Sequence, residues 1–160
     1  EDSVLLERSS VTSNAISGSN GLSNYETERN TVEQTARELL GLSQQLLDSI
    51  DQQDWEAYTR LCDSELTAFE PEGVGNVIKG MAFHKFYFDL DASGLPKQSG
   101  ISSPLVRVIG DCAVITYIRV CQRLNSDGSV PSSAFEETRI WEKKDGEWKH
   151  IHFHRSHGGA

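Results

Sequence analysis

From Leu105 onward the chain is divided by hairpin-type turn signals into segments that read as strands. Leu105 to Ile109, Cys112 to Leu124, Ala134 to Lys144 and Glu147 to His157 are separated by Gly110-Asp111, Ser126-Asp127-Gly128 and Asp145-Gly146. The last pair suits a tight two-residue hairpin, so these segments are expected to form an antiparallel meander. The first half has a helical period instead. Thr31 and Gln34 suggest a capping box, followed by Leu39, Leu40, Leu46, Leu47 and Ile50 on one face of a helix of roughly twenty residues. Asp54 is placed to cap a second short helix carrying Trp55, Tyr58 and Leu61. Leu66 to Glu70 reads as a strand stopped by Pro71, and Met81 to Leu90 as a helix with Phe83, Phe86, Tyr87 and Leu90 on one face. Helices followed by a meander indicate an α+β domain with helices on one side of a curved sheet.

Residues 1 to 30 hold seven Ser, four Asn and two Gly with few apolar positions, so they are expected to be a flexible leader before a domain spanning 31 to 160. Val4-Leu5-Leu6 is the one patch there that could dock. The net charge of −9 argues against nucleic acid and anionic membrane surfaces as partners, and no apolar run approaches the roughly 20 residues of a membrane span. Cys62, Cys112 and Cys121 cannot all pair within one chain, which favours reduced thiols and a cytoplasmic setting.

The segment Cys112 to Leu124 is apolar in both strand phases. Ala113, Ile115, Tyr117 and Cys121 occupy one face, and Val114, Ile118 and Val120 the other. An antiparallel sheet with one wet face alternates apolar and polar residues, so the second face needs a cover. Another subunit would supply it through Val114, Ile118 and Val120; closure of the sheet on itself, or a long loop, are the alternatives.

The same alternation places Arg119 with Ile115 and Tyr117, Arg139 with Trp141, and Arg155 with Ile151 and Phe153. Three guanidiniums then point to the side of the large apolar neighbours. Either Glu70, Glu72, Glu136 or Glu137 pairs with them, or part of a cationic cavity stays open for an anion. His150, His152 and His154 fall on one face by the same count, but no carboxylate or cysteine completes a ligand set, so no metal is expected. His84, among Phe83 and Phe86, reads as a packed helix histidine unless it borders the arginines.

Several blocks are read together: Trp55-Glu56-Ala57-Tyr58-Thr59-Arg60-Leu61-Cys62-Asp63, Leu66 to Glu72, Gly75-Asn76, and Phe83-His84-Lys85-Phe86-Tyr87-Phe88. Further on come Ile118-Arg119, Glu136 to Trp141, Asp145 to Trp148 and His152 to Ser156. In this order and spacing they resemble the association (hub) domain of calcium/calmodulin-dependent protein kinase type II. The resemblance, over residues 31 to 157, implies a nuclear-transport-factor-2-like cone with N-terminal helices in strongly bent antiparallel sheet. It implies two stacked rings of twelve or more subunits that would gather attached kinase domains. It also implies a cavity lined by Arg119, Arg139 and Arg155, with His84 at its edge, for small carboxylates or acidic peptide segments. On that reading Arg139→Ala weakens carboxylate binding and leaves the assembly intact. No cofactor and no catalytic residue are implied. The stretch Asp89 to Ser103 is shorter than the connection the family normally has and lacks the tryptophan that some members carry there. No Gly-rich ATP loop, HRD loop or DFG segment is present, which excludes phosphoryl transfer by this chain. The competing readings are a small enzyme of the same fold, isomerase- or dehydratase-like, and a peptide-binding adaptor that forms no ring.

Overall fold

The positions at which the first helix is buried determine how the molecule is layered. The computed structural model describes residues 19–91 and 94–157. Helix α1 runs Ser19–Gln52, and its buried positions Ala36, Leu39, Ser43, Leu46 and Leu47 follow helical spacing. Leu39 and Leu47 pack on Val106, Ala113, Ile115, Tyr117 and the indoles of Trp141 and Trp148. Leu46 joins a second cluster with Tyr58, Leu66, Ala68, Ile78 and Phe153.

The helix starts twelve residues before the expected capping box. Thr31 does not cap it; its Oγ1 donates to the Thr27 carbonyl at 2.9 Å, the back-bond of a mid-helix threonine. Residues 24–32 are exposed on this extension. Of the expected leader, 19–30 are therefore helical, whereas Val4-Leu5-Leu6 lies outside the described residues. Gln53 takes φ 54° and ends α1. Asp54 then caps α2 (Trp55–Leu61) by accepting from the Ala57 amide at 2.9 Å, as its sequence position predicts.

Strands β1 (Cys62–Phe69), β2 (Ile78–Lys79), β3 (Lys97–Ile109), β4 (Cys112–Arg123), β5 (Ser132–Lys144) and β6 (Glu147–His157) form one sheet in the order β2-β1-β6-β5-β4-β3. The meander of β3 to β6 is antiparallel as expected, but β1 joins β6 in parallel, so the sheet is mixed. It ends at β2 and β3 and does not close on itself. At the β5–β6 hairpin, Asp145 and Gly146 take φ of 52° and 85°, the paired positive values of the tightest hairpin turn.

Three further expectations are corrected. Strand β3 begins at Lys97, so the supposed connection from Asp89 to Ser103 contains half a strand. Its polar front disguised it, and the bulge at Ser103 (φ 51°) and Pro104 is tolerated because β3 is an edge. In α3 (Ala82–Phe88) the buried residue is His84; Phe86, Tyr87 and, just beyond the helix, Leu90 are exposed. Finally, Trp141 pairs with His150 but Ile140 pairs with His152. The extra residue, Ile151, is a β-bulge. It places His150 on the inner face, fully buried, and leaves His152 and His154 on the outer one, so the three do not share a face.

Candidate functional site

The bulge also brings Phe153 and Arg155 to the inner face beside β5. There, Tyr117 and Arg119 of β4, Glu137 and Arg139 of β5, and Phe153 and Arg155 of β6 form the floor under the helices. Arg119, Glu137, Arg139, Phe153 and Arg155 line a cavity of about 180 Å³, walled by Ile50 of α1, Tyr58 of α2, and His84, Tyr87 and Phe88 of α3, with Glu70 and Glu72 beside it. The four residues singled out from sequence, His84, Arg119, Arg139 and Arg155, are thus brought to one place.

Their circumstances differ. Arg139 is 1% exposed. Its Nε donates to the Tyr117 hydroxyl at 2.7 Å and its NH2 to Glu137 Oε2 at 2.8 Å, while NH1 lies 3.3 Å from His150 Nε2. The guanidinium also stacks 4.8 Å from the Phe153 ring centroid. Tyr117 donates to the same Glu137 oxygen. Burial opposes ionisation of Glu137, but Arg139 and Arg119 outweigh it and hold its pKa below the ordinary glutamate value. Burial alone would lower the Arg139 pKa, and Glu137 reverses that. This is an ion pair held by hydrogen bonds on several sides, as a buried charge requires.

Arg119 is looser. Its Nε and NH2 donate to Ser99 Oγ at 3.1 and 2.9 Å, and it lies 3.4 Å from Asp51 and 3.6 Å from Glu137. Arg155 faces two carboxylates, Glu70 at 3.1 Å and Glu72 at 2.5 Å. Burial raises the Glu70 pKa against the pull of Arg155. The Glu72 side chain is 39% exposed and the Glu70 side chain 10%. His84 Nδ1 stands 3.7 Å from Glu70, and burial followed by the charge of Arg139 lowers the His84 pKa to about 4, leaving a neutral imidazole.

Of the four glutamates weighed as partners, Glu70, Glu72 and Glu137 pair with arginines; Glu136 instead accepts from Ser156 Oγ. Sequence reasoning missed Asp51, Tyr58 and His150. Asp51 follows the last apolar residue of a helix and carried no signal, while the bulge hid His150.

On the other side of β4, Val114, Ile118 and Val120 are half-buried, and none joins either core cluster. Val114 is paired with Ile140, Ile118 with Glu136 and Val120 with Ala134. The inner phase, Ala113, Ile115 and Tyr117, is buried against α1. Among the described residues no group of three or more His, Cys, Asp or Glu side chains could hold a metal, and no helix is long and apolar enough to cross a membrane. Cys62 is buried, which raises its thiol pKa to about 12.

A long helix laid in a bent mixed sheet, with a polar cavity between them, defines a nuclear-transport-factor-2-like cone. A protein of that superfamily from Salmonella enterica shares the fold at 20% identity and a TM-score of 0.66, over 81% of this chain and 94% of that one. More specifically, residues 35–159 match the family model of the calcium/calmodulin dependent protein kinase II association domain, and the chain belongs to that family. It is 43% identical over 137 residues to the delta subunit of calcium/calmodulin-dependent protein kinase type II from Oryctolagus cuniculus. That alignment covers 84% of this chain and 26% of the subunit, so the chain spans about a quarter of that relative's length. The calcium/calmodulin-dependent protein kinase II hub homology domain from Chlamydomonas reinhardtii is 42% identical, with a TM-score of 0.74, and is matched over 78% of this chain and 99% of that domain. The region matched is an association domain and not a kinase domain.

Proposed function

We propose that this chain is a non-catalytic hub whose copies assemble into two stacked rings of twelve or more subunits, clustering any kinase domains attached to them. Membership of an association-domain family is the observation that carries this reading. The outer phase of β4 supports it, since Val114, Ile118 and Val120 lie outside both core clusters on a sheet that does not close. Tethering raises the effective concentration of neighbouring domains without new chemistry, and a closed ring follows from heterologous contacts whose rotation closes. A boundary near residue 30 is part of the proposal, supported by the exposure of residues 24–32 and by a family match that begins at Thr35.

Size-exclusion chromatography with light scattering tests the assembly. A mass of twelve or more subunits is the expected result, and a monomer or dimer at micromolar concentration overturns it. Ile118→Asp places an unpaired charge on the outer face and is expected to shift the distribution to small species. Full-size elution of that variant would remove β4 from the contact.

The cavity is proposed to receive a small carboxylate or an acidic peptide end, with Arg155 and Arg119 as its receptors and His84 at its side. Arg139 is too enclosed to serve directly, so its role is to hold Glu137 and Tyr117 in place. Each receptor already faces a protein carboxylate, so the ligand enters by exchange, and Glu72 is the more exposed of the two at Arg155. Glu72→Gln is therefore expected to tighten the binding of a simple alkanoate about three- to tenfold by calorimetry, in keeping with the modest strength of exposed pairs. Unchanged affinity would count against exchange at Arg155.

A further inference from the structure

On the outer face of the sheet, two rows of paired residues cross from one edge toward the other. The first runs Arg107, Val114, Ile140, His152, Thr67 and Lys79, from β3 to β2. The second runs Leu105, Thr116, Thr138, His154 and Phe69. Between the two edge strands neither row holds an Asp, Glu, Lys or Arg, in a chain of which 24% is charged. The fixed charges of this face surround the rows: Glu65 on β1, Lys79 on β2, Glu136 and Glu142 on β5, Lys149 on β6 and Arg107 on β3. A wetted sheet face would mix charges throughout, whereas an uncharged centre inside a charged rim is how protein contacts are built. Three anions and three cations on that rim let the face meet a second copy of itself. Neither core cluster includes any of these residues, so the fold of one chain leaves the face unused.

Two imidazoles stand in the middle of it. His152 is half-buried, with Nδ1 2.7 Å from Thr67 Oγ1, and His154 is exposed. Phe69 lies against both, its ring centroid 6.2 Å from that of His152 and 5.7 Å from that of His154. Glu136 stands diagonally from His154 and accepts from Ser156 Oγ at 2.9 Å. No carboxylate is paired directly across from either imidazole. We propose that this face seats a second copy across the two-fold between the stacked rings, and that His152 and His154 make the contact proton-sensitive. It holds while both imidazoles are neutral and opens when they charge. This rests on the assembly proposed above and adds its regulation. A two-fold contact lays one patch against itself, so a cation gained by one copy is matched by the same cation on the other. Each new charge would also be kept from water by the partner. Burial, followed by the charge of His154, already lowers the His152 pKa in a single chain. Histidine is the side chain whose charge ordinarily changes between pH 5 and 8. Separated copies bind more protons than joined ones, so the contact is held above about pH 6.5 and weakens as pH falls.

Light scattering at micromolar subunit concentration, at pH 7.5 and 5.5 with matched ionic strength, tests this. Full-size assemblies at pH 7.5 are expected to separate at pH 5.5 into species of half that mass or less, with unchanged far-ultraviolet circular dichroism. The concentration for half-dissociation is expected to rise at least tenfold. Combining His152→Gln with His154→Gln removes both titrating groups and keeps His84, His150 and the rim carboxylates, so full size is expected at both pH values. Should that pair not fold, His154→Gln alone is expected to reduce the pH response at least threefold. His154→Lys, a permanent cation, is expected to give the smaller species at pH 7.5. Full-size wild type at pH 5.5, or glutamine variants that separate as wild type does, would overturn the histidine switch and leave the rings standing. Full-size His154→Lys at pH 7.5 would overturn the face as a contact between copies and leave another protein, or the segment Val4-Leu5-Leu6, as its cover. If wild type is a monomer or dimer at pH 7.5, the ring reading fails and the switch with it.

Discussion

Arg139→Ala is expected to lower the melting temperature by about 10–15 °C, the largest effect of any single change proposed for this chain. The substitution leaves the Glu137 carboxylate buried without its main cation, together with the Tyr117 hydroxyl and the His150 nitrogen that Arg139 engages. Removing one partner of a buried pair costs about 3–5 kcal/mol because the remaining charge has nowhere to go. At this chain length each kcal/mol moves the midpoint by roughly 2–4 °C. Loss of the guanidinium stacked on Phe153 acts in the same direction. Arg119→Ala is the control: its carboxylate partners stand at 3.4 and 3.6 Å and its closer hydrogen bonds go to the neutral Ser99 hydroxyl, so a smaller loss than for Arg139→Ala is expected. Pairing Arg139→Met with Glu137→Leu removes both charges together and is expected to recover much of the loss. Melting within 3 °C of wild type for Arg139→Ala, or no recovery in the double variant, would show that the network is not what holds the floor of the cavity together. Arg139→Ala therefore does not by itself test the binding role that strand phase and resemblance give Arg139. A variant that loses its fold cannot report on a ligand contact.

The inner face was legible in sequence wherever strand alternation runs unbroken. Arg119 and Arg139 sit on β4 and β5, where the register is continuous from Gln122 to Cys112, and their phase was readable by counting. Arg155 was also assigned correctly, because it was counted with Phe153 and no register shift separates the two. His150 was misread because Ile151 shifts the phase, and a one-residue slip sends every later side chain to the other face. The first half of β3 was lost for a different reason: its exposed Lys97, Gln98 and Ser102 carry none of the apolar alternation that marks a half-buried strand. Charge pairing was legible only as a set of candidates: Glu70, Glu72 and Glu137 were among the glutamates weighed, but not which arginine each would meet. Asp51 meets Arg119 across 68 positions, and Glu70 meets Arg155 across 85. Nothing local predicts such pairs; only the wrapping of α1 and β1 around the sheet creates them.

Acid is expected to undo the fold well before its carboxylates are neutralised, through imidazoles the cavity holds neutral. Burial, followed by the nearby Arg139 charge, lowers the His84 pKa from 6.5 to about 4. The same two causes, joined by His84 itself, lower that of His150 still more strongly. A histidine depressed in the folded state stabilises the fold fully above its unfolded value of about 6.5, and that contribution is lost as pH falls toward the folded value. For His84 the gap corresponds to about 3 kcal/mol, lost between pH 6.5 and 4. His150 adds to the loss in the same direction over the same window. Glu137, also depressed, begins to contribute only below its ordinary value of 4.5. Glu70 acts oppositely: its raised pKa lets it take up a proton in the folded state first, which offsets part of the loss just above pH 4.5. The histidines start earlier and number two, so they prevail from pH 6.5 down to about 5. Melting in matched buffers is expected to fall by roughly 5–10 °C between pH 7 and 4.5 from the His84 contribution alone. His84→Phe fills the same aromatic niche between Tyr58 and Phe153 without titrating, and its profile is expected to be flatter by that amount. A wild-type midpoint constant across this range, or a His84→Phe profile parallel to wild type, would mean that His84 charges without cost and that the cavity is wetter than its geometry implies.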